Sequence, residues 1–219
     1  MGAVTGASPP ARSDTGANSG GRGRGRPSTL DRQAVLDATW RVIAARGIDG
    51  ARYADIAEAS GTPVSTLQNA FGTLQSLLAA AIGHASNRDN AFLATIPGPE
   101  DASAEARLEA LAVGAVGPGF GAESYLVWLE LWRASARDTG LAGLSADAYD
   151  GWWAVAESIV AQGQRDGVFT TAESARDLAI TVIAILDGIA LALLIPAQRG
   201  EAETAGRIAL AGVRRLLAP

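Results

Sequence analysis

Aromatic residues are scarce in this chain, yet four of its five tryptophans fall in two short stretches. Trp128 and Trp132 are four residues apart, which places them on one face of a helix, and Tyr125 shares that face. Trp152 and Trp153 lie on the next predicted helix. Large aromatic side chains that line an apolar cleft between helices suit a small planar or cationic ligand; ordinary core packing is the alternative. We expect these five residues to form a ligand-binding region.

Three acids near these aromatic residues have different predicted roles. Glu130 and Glu157 are candidate counter-charges for a cationic ligand, although acids on helix surfaces are usually only solvated. Asp187 interrupts the apolar run LAITVIAILDGIALALLI, where we expect it to pair with an arginine or cap a backbone group; a ligand contact is the alternative. A carboxylate at the centre of a bilayer would cost roughly 2.5–3.5 kcal/mol. The run therefore predicts a buried helix that faces a second subunit, and no membrane span.

The residue types that catalysis needs are nearly absent. The sequence has no cysteine, which excludes disulfides, thiolate metal sites and cysteine nucleophiles. His84 is the only histidine, which argues against a Ser-His-Asp triad or a histidine metal site. We predict that the protein is not an enzyme and uses no metal or cofactor, and that His84 lies at the surface or at a junction between helices.

A second group of polar residues is spaced for DNA recognition. The sequence predicts a short helix over 53–60, a tight turn at Gly61 and a second helix over 64–70. Two such helices form a helix-turn-helix, whose second helix enters the major groove. Gln68 and Asn69 are adjacent on that helix, and both side chains can pair bidentately with adenine. The other candidate DNA contacts here, any of which is alternatively solvated helix surface, are Arg52, Tyr53, Thr62, Val64, Ser65, Thr66 and Thr73.

The first 27 residues form a basic arm by composition. They contain Gly, Ala, Ser, Pro and Arg without hydrophobic periodicity, so we predict that they are disordered. Arg22, Arg24 and Arg26 alternate with glycine, and RGRP is similar to the core of the AT-hook, which enters a narrow A·T minor groove. A solubilising tail is the alternative. Through residue 60 the chain has eight arginines against six acids, and beyond it ten against seventeen, so only the N-terminal part should face phosphates.

The rest of the chain predicts helices and no strands. An amphipathic helix is predicted from Ser28 to Gly47, with apolar residues at 30, 34, 35, 38, 42 and 45. Further helices alternate with Gly- and Pro-rich breaks. The predicted fold class is all-α with about nine helices. We divide the chain into a disordered arm over 1–27, a helix-turn-helix DNA-binding domain of three helices over 28–75, and a helical ligand-binding and dimerisation domain over 76–219.

The stretch DIAEASGTPVSTLQNAFGTLQSLL resembles the N-terminal domain of the tetracycline-repressor (TetR) family of bacterial regulators. The run GQRDGVFTTAESARDLAITVIAILDGIALALLI is similar to the part of that family that leads into its dimerisation helix. The resemblance implies a homodimer that binds double-stranded DNA at a palindromic operator and holds a small-molecule effector. The sequence departs from the family pattern at Gln68, Ala70 and Leu74, where the family usually has a tyrosine, an aromatic residue or histidine, and a lysine.

These features together predict a ligand-responsive DNA-binding transcriptional regulator. We expect a cytoplasmic repressor that an aromatic or cationic small molecule releases from its operator. Release would follow from a changed spacing of the two recognition helices, which must match half-sites about 34–36 Å apart or a multiple of that distance. One alternative is a helical small-molecule-binding protein or enzyme without a DNA-binding role. Another is an architectural DNA-binding protein, for which ligands would leave the DNA affinity unchanged.

Overall fold

Helices make up most of the described chain. The computed structural model describes residues 2, 30–116, 121–137, 139–194 and 202–217, and within these ranges there is no strand. The predicted all-α fold class is confirmed, and these ranges hold nine helices. In chain order the helices are α1 (Arg32–Arg46), α2 (Tyr53–Ser60), α3 (Val64–Phe71), α4 (Leu74–Leu93), α5 (Ala104–Val116), α6 (Gly121–Ser135), α7 (Thr139–Arg165), α8 (Ala175–Leu194) and α9 (Ala202–Leu217).

The chain divides into two units, Met1–Leu30 and Asp31–Pro219. Of the first unit only Gly2 and Leu30 belong to the described residues, so the predicted basic arm, apart from Gly2, lies outside them. Helices α1 to α9 all belong to the second unit. The domain boundary predicted between residues 75 and 76 falls inside α4, which packs against both α1 and α7. That boundary stays a prediction.

Helix α1 begins at Arg32, four residues after the predicted start at Ser28. Asp31 caps the helix, because its carboxylate accepts a hydrogen bond from the Ala34 amide at 3.0 Å. An acid at this position satisfies an amide that the helix itself leaves unpaired. The spacing also predicts Ala34 and Ala45 on the buried face, but both are exposed. The buried stripe contains Trp40 and Ile43 instead, since larger side chains bury more apolar area.

Helices α2 and α3 form the predicted helix-turn-helix. Gly61 ends α2 in the left-handed region at φ 64°, and Pro63 precedes α3 with an extended backbone. Ile56 and Leu67 are fully buried on the inner faces of the two helices. Helix α3 extends one residue beyond the prediction, to Phe71, whose ring is also buried. The recognition unit is therefore two short helices fixed by inward-facing side chains.

Helices α5, α7, α8 and α9 enclose the core of the C-terminal part. Helix α7 packs on α4, α5, α6 and α8, so it connects most of the bundle. Burial of aliphatic groups, worth roughly 25 cal/mol per Å² of apolar surface, stabilises such a bundle. Among the largest fully buried side chains of this core are Leu108, Leu111, Ile159, Leu178 and Leu217.

Helix α8 is the apolar run that contains Asp187. It is the one described helix that is long and apolar enough to cross a membrane, a property that core helices of soluble proteins share. Leu178, Val182 and Leu186 on one face are buried in the core, whereas Ile180 is exposed. Helix α8 therefore packs through one face, and contact of its exposed face with a second subunit stays a prediction.

The single histidine lies at a junction between helices, one of the two positions expected for it. His84 Nε2 of α4 is 3.2 Å from Asp37 Oδ1 of α1, and Arg88 pairs with the same carboxylate oxygen at 3.7 Å. The contacts of His84 and Arg88 with Asp37 tie α4 to α1.

Within the described ranges no group of three His, Asp or Glu side chains has the arrangement of a metal site.

Helix α6 contacts the loop between α1 and α2 through two charged residues. Glu130 Oε2 accepts hydrogen bonds from the Ile48 amide at 3.3 Å and from the Arg133 guanidinium at 3.0 Å. Arg133 also pairs with Asp49 at 2.7 Å. Gly47 lies so close that a Cβ atom there would be 2.8 Å from Glu130 Oε2. We call Ile48, Asp49, Glu130 and Arg133 the α6 clasp.

Gly47→Ala should destabilise the protein more than Gly61→Ala. Both glycines have positive φ, but they differ in ψ. Gly61 (φ 64°, ψ 17°) lies in the left-handed helical region, where alanine costs about 1 kcal/mol of backbone strain. Gly47 (φ 72°, ψ 169°) lies in a region that is populated almost only by glycine, where alanine costs about 1–3 kcal/mol. At Gly47 the new methyl group also displaces Glu130 from the α6 clasp, which removes about 1 kcal/mol more. No atom lies within 4 Å of a Cβ built on Gly61. Urea unfolding should therefore give losses of about 2–4 and about 1 kcal/mol.

Glu130→Ala is the control for this comparison. In that background the loss caused by Gly47→Ala should fall by about 1 kcal/mol, because the displaced carboxylate is gone and only the backbone strain remains. The loss caused by Gly61→Ala should be the same in both backgrounds. An unchanged loss for Gly47→Ala in the Glu130→Ala background would contradict the contact.

Candidate functional site

Tyr53, one of the candidate DNA contacts, links the two helices of the helix-turn-helix by a hydrogen bond. Its hydroxyl, at the start of α2, donates to the Gly72 carbonyl just after α3, with 2.9 Å between the oxygens. Partial desolvation raises the pKa of this hydroxyl, which keeps it a proton donor. The hydrogen bond links the start of one helix to the end of the other. Tyr53 therefore helps to fix the angle at which α3 is presented.

Helix α3 presents its polar side chains on one exposed surface. Leu67 is buried in the middle of this helix, and Thr62 and Val64 are half-buried at its start. Helix α3 has no charged residue, so its contacts would be hydrogen bonds from amides and hydroxyls. The exposed candidates on α3 are Ser65, Thr66, Gln68 and Asn69. The arm candidates Arg22, Arg24 and Arg26 lie outside the described residues.

Arg52 and Thr73 flank the two helices and are both hydrogen-bonded within the scaffold. Arg52 Nη1 donates to the Asp49 and Ala51 carbonyls at 2.7 and 2.8 Å. Thr73 Oγ1 caps α4 by accepting a hydrogen bond from the Ser76 amide at 3.1 Å. Both side chains are exposed. A phosphate contact at either residue would therefore add to an existing structural role.

A cavity enclosed by α4, α5, α6, α7 and α8 is the second candidate site. Its empty volume is about 480 Å³, part of which is open to solvent. Five aromatic side chains and two carboxylates form most of its lining. Four of the predicted ligand residues are among them: Tyr125, Trp128, Trp132 and Trp152.

Trp153 is the predicted ligand residue that does not line the cavity. Its ring stacks on Tyr149, with 5.1 Å between the centroids, and the Arg176 guanidinium lies 5.0 Å from its centroid. Tyr149 itself lines the cavity and also stacks on Trp132 at 6.1 Å. Trp153 therefore supports the cavity wall through Tyr149.

Trp128 joins the cavity to helix α1. Its buried ring meets Trp40 of α1 edge-on, with 6.2 Å between the centroids and 74° between the planes. The Arg88 guanidinium of α4 lies 5.3 Å from the Trp40 centroid. Edge-to-face and cation–π contacts depend on geometry, so they transmit changes in ring position. A ligand that moves Trp128 would therefore affect the packing of α1.

Two carboxylates, Asp89 of α4 and Asp187 of α8, line the cavity. Asp187 accepts a hydrogen bond from the Tyr149 hydroxyl at 2.7 Å. Asp89 is only 8% exposed and accepts a hydrogen bond from the Trp152 indole, but its Oδ2 has no hydrogen-bond partner among the described residues. None of the described residues that line the cavity is basic. The site is thus an aromatic cage with two acids in its wall.

Burial shifts the titration of both carboxylates. It raises the pKa of Asp89 to about 7, against the attraction of Arg88 and the Trp152 hydrogen bond, which lower this pKa. Burial also raises the pKa of Asp187, and the Tyr149 hydrogen bond opposes that rise. A cation placed in the cavity would lower the pKa of both acids, because it favours their charged forms.

The two cavity tyrosines are hydrogen-bond donors. The Tyr125 hydroxyl donates to the Ala115 carbonyl, and the Tyr149 hydroxyl donates to Asp187. Burial and then the nearby charge of Asp187 raise the pKa of both hydroxyls. Both hydroxyls therefore stay neutral and keep the walls rigid.

The acids proposed from sequence as counter-charges lie elsewhere. Glu130 belongs to the α6 clasp, and Glu157 pairs with Arg176 at 3.4 Å; neither lines the cavity. Asp187, expected to pair with an arginine or cap a backbone group, binds a tyrosine hydroxyl in the cavity wall. Glu130 and Glu157 lie on helix surfaces, where each meets a nearby arginine, whereas the carboxylate of Asp187 lies inside the bundle, where its hydrogen-bond partner is a tyrosine.

The sequence analysis did not identify Asp89 and Tyr149 as site residues, although the position of each in the sequence gives an indication. Tyr149 precedes Trp152 by three residues and so shares its helix face. Asp89 lies four residues after buried Ala85 and four before buried Leu93, where an acid interrupts an apolar stripe. A charged residue at a stripe position is a sequence indication of a buried functional acid.

Family comparisons agree with this arrangement of a recognition helix and a helical cavity. Residues 104–218 match the family model described as BetI-type transcriptional repressor, C-terminal. Residues 35–81 match the model described as bacterial regulatory proteins, tetR family. The chain belongs to the TetR family. The resemblance seen in the sequence is therefore confirmed, and the chain is a ligand-responsive DNA-binding repressor of this family.

Solved structures of other TetR-type regulators are similar over nearly the whole chain. A TetR-family regulator from Rhodococcus sp. is 26% identical, with a TM-score of 0.70 over 85% of this chain and 98% of its own. A transcriptional regulator from Saccharomonospora viridis, solved in complex with choline, is 28% identical, with a TM-score of 0.72 over 86% of this chain and 97% of its own. No curated protein matches the sequence significantly.

A structure of lower sequence identity shares the fold, and the similarity extends no further. FadR from Bacillus subtilis, solved in complex with stearoyl-CoA, is 17% identical, with a TM-score of 0.70 over 82% of this chain and 96% of its own. TetR-family regulators bind DNA and dimerise, and they are typically soluble, cytoplasmic and not enzymes. The same all-α scaffold thus serves regulators solved with chemically different small molecules.

Asp89→Asn should stabilise the unliganded regulator more at pH 8 than at pH 5. The folded protein holds the Asp89 proton up to about pH 7, whereas the unfolded chain releases it near pH 4. The free energy of unfolding of the native protein therefore falls as the pH rises between these values, and asparagine abolishes this loss. The stability advantage of the variant should grow by roughly 2–3 kcal/mol from pH 5 to pH 8.

Urea unfolding at the two pH values measures this difference. Asp147→Asn is the control, because Asp147 is an exposed acid on α7 and should give little change at either pH. A stability difference between Asp89→Asn and the native protein that is the same at pH 5 and pH 8 would contradict the raised pKa.

Proposed function

We propose that this repressor responds to an organic cation, a quaternary ammonium compound of the choline type, bound in the aromatic cavity. The observation that carries the proposal is the pair of acids, Asp89 and Asp187, in a wall whose described residues include no base. Burying a carboxylate without a basic partner costs free energy, and a cationic ligand offsets that cost. The acids therefore favour a positive ligand over a neutral one.

The aromatic residues of the cavity support the same ligand class. A quaternary ammonium group is attracted electrostatically to the faces of tryptophan and tyrosine rings, and cages of such rings recognise it. Trp128, Trp132 and Trp152 supply three indole rings, and Tyr125 and Tyr149 supply two phenol rings. The methyl groups of such a cation are also hydrophobic, which suits apolar walls. The choline complex of the Saccharomonospora viridis regulator, 28% identical to this chain, supports the proposal further.

Helices α4 and α6 offer the route by which the ligand would act on DNA binding. Helix α4 begins at Leu74, three residues after the end of α3, and carries Asp89 about 22 Å further along its axis. Helix α6 carries Trp128 in the cavity wall and Glu130 in the α6 clasp. A ligand that binds one arrangement of these helices more tightly shifts the population toward that arrangement. Both helices touch the DNA-binding part, so that shift would change the position of α3.

The DNA-binding form would be a homodimer on a palindromic operator. Two recognition helices must then match half-sites about 34–36 Å apart or a multiple of that distance. Ile180 of α8 is 42% exposed and Ile208 of α9 is 51% exposed. Exposed isoleucines on two adjacent helices suit a four-helix interface between two copies of the chain. We place the dimer contact on these faces.

The DNA contacts would divide between α3 and the basic arm. Gln68 and Asn69 would read base edges in the major groove, since their amides are exposed on an uncharged helix. Phosphate contacts would come from Arg52 and from hydroxyls such as Ser65 and Thr66, while Arg22, Arg24 and Arg26 would enter the minor groove. We further propose that the protein acts in the cytoplasm and without catalysis.

Choline should bind the purified regulator at least roughly tenfold more tightly than 3,3-dimethylbutan-1-ol, its uncharged isostere. The two molecules have the same shape and hydroxyl group and differ in the positive charge alone. Tryptophan fluorescence follows binding, because Trp128, Trp132 and Trp152 line the cavity. Choline should also lower the affinity for DNA sequences selected in vitro by the protein, and the isostere should not. Equal affinities for both molecules, or no binding of either, would contradict the proposal.

Replacing Arg22, Arg24 and Arg26 with alanine should flatten the salt dependence of DNA affinity. Each lost phosphate contact lowers the slope of log affinity against log salt by roughly 0.9, so the slope should fall by up to about 3. Gln68→Ala is the matched comparison: it should relax the preference at one base pair and leave the slope unchanged. An unchanged slope in the arginine variant would mean that the arm does not touch DNA.

A further inference from the structure

Two buried polar atoms of the cavity wall have no hydrogen-bond partner among the described residues. They are Asp89 Oδ2, an acceptor, and Trp132 Nε1, a donor. Both side chains line the cavity. Buried polar groups in folded proteins are nearly always hydrogen-bonded, so an unpaired pair in a ligand site points to the ligand as the partner.

The neighbouring polar groups already have partners within the protein. Trp152 donates to Asp89 through its indole, and Tyr149 donates to Asp187 at 2.7 Å. Tyr125 donates to a backbone carbonyl of α5. None of these donors therefore depends on a ligand. The acceptor of Asp89 and the donor of Trp132 remain as the two groups that a ligand would satisfy.

A hydroxyl group is the substituent that suits both atoms. It donates its proton to a carboxylate oxygen and accepts a hydrogen bond from an indole N–H. A methyl group offers neither bond. A ligand carboxylate would accept from Trp132, but the negative charges of Asp89 and Asp187 would repel it.

We infer that Asp89 determines the specificity of the cavity, because its Oδ2 selects organic cations that carry a hydroxyl over fully alkylated or zwitterionic ones. This inference rests on the proposed cation site and deepens it. The expected order of affinity is choline, then ethyltrimethylammonium, which is choline without its hydroxyl, and last the carboxylate betaine.

Isothermal titration calorimetry at pH 8 with these three compounds tests the order. The native protein should bind choline roughly tenfold to a hundredfold more tightly than ethyltrimethylammonium, the factor expected for one hydrogen bond to a carboxylate. Betaine should bind more weakly than ethyltrimethylammonium. Choline and ethyltrimethylammonium binding equally well would overturn the role of Asp89 and leave the cation site intact. Binding of neither would overturn the cation site as well.

The variant Asp89→Asn tests the contribution of Asp89 to this preference. Only the amide oxygen can accept from the Trp152 indole, which turns the amide N–H₂ toward the position of Oδ2 and replaces an acceptor by a donor. The preference for choline over ethyltrimethylammonium should fall at least about fivefold, because the hydroxyl then meets a neutral amide and no longer a carboxylate, and betaine should gain relative to choline. An unchanged preference in this variant would overturn the inference.

Asp187→Asn is the matched control. It removes the same charge from the same cavity, but its carboxylate already accepts the Tyr149 hydroxyl. Both cations should therefore lose affinity by similar factors, and the preference for choline should be kept. If Asp187→Asn abolishes the preference while Asp89→Asn keeps it, the specificity belongs to Asp187 and the inference is wrong.

Discussion

Two buried carboxylates in a cavity whose described lining is aromatic and apolar and includes no basic residue are the constraint on which the rest of this structure depends. Asp89 and Asp187 come from different helices, and each is held by one aromatic donor, Trp152 or Tyr149. One such hydrogen bond does not replace the hydration that a carboxylate loses on burial. The raised pKa values of both acids reflect this imbalance. A cation bound in the cavity would favour the charged forms of both acids and so offset part of the cost of burying them.

The helices that carry the cavity residues also contact the DNA-binding part. The helix that carries Asp89 starts directly after the recognition helix, and the helix that carries Trp128 holds the α1–α2 loop through the α6 clasp. Trp128 also packs edge-on against Trp40 of α1. The cavity and the DNA-binding part thus share helices, and a ligand would alter the DNA-binding part through its different affinity for two helix arrangements.

The DNA-binding part relies on polar side chains more than on charge at the recognition helix. Helix α3 has no charged residue, so the amides of Gln68 and Asn69 are its strongest candidates for base contacts. Its position is fixed by the Tyr53 hydrogen bond to Gly72 and by the buried Leu67. Arginines of the flanking segments would then supply the electrostatic attraction to phosphates. Specificity and affinity would come from different parts of the chain.

The sequence by itself determined the all-α fold, the helix-turn-helix and the aromatic content of the ligand region. Helical periodicity, Gly61 and Pro63, and the spacing of Trp128 and Trp132 are local features that secondary structure alone converts into faces and turns. The tertiary structure decided which acids share the cavity. Asp89 and Asp187 are far apart in sequence, and Trp153 lies outside the lining although it adjoins Trp152. Such pairings depend on how separate helices pack, and periodicity within one helix carries no information about its partner.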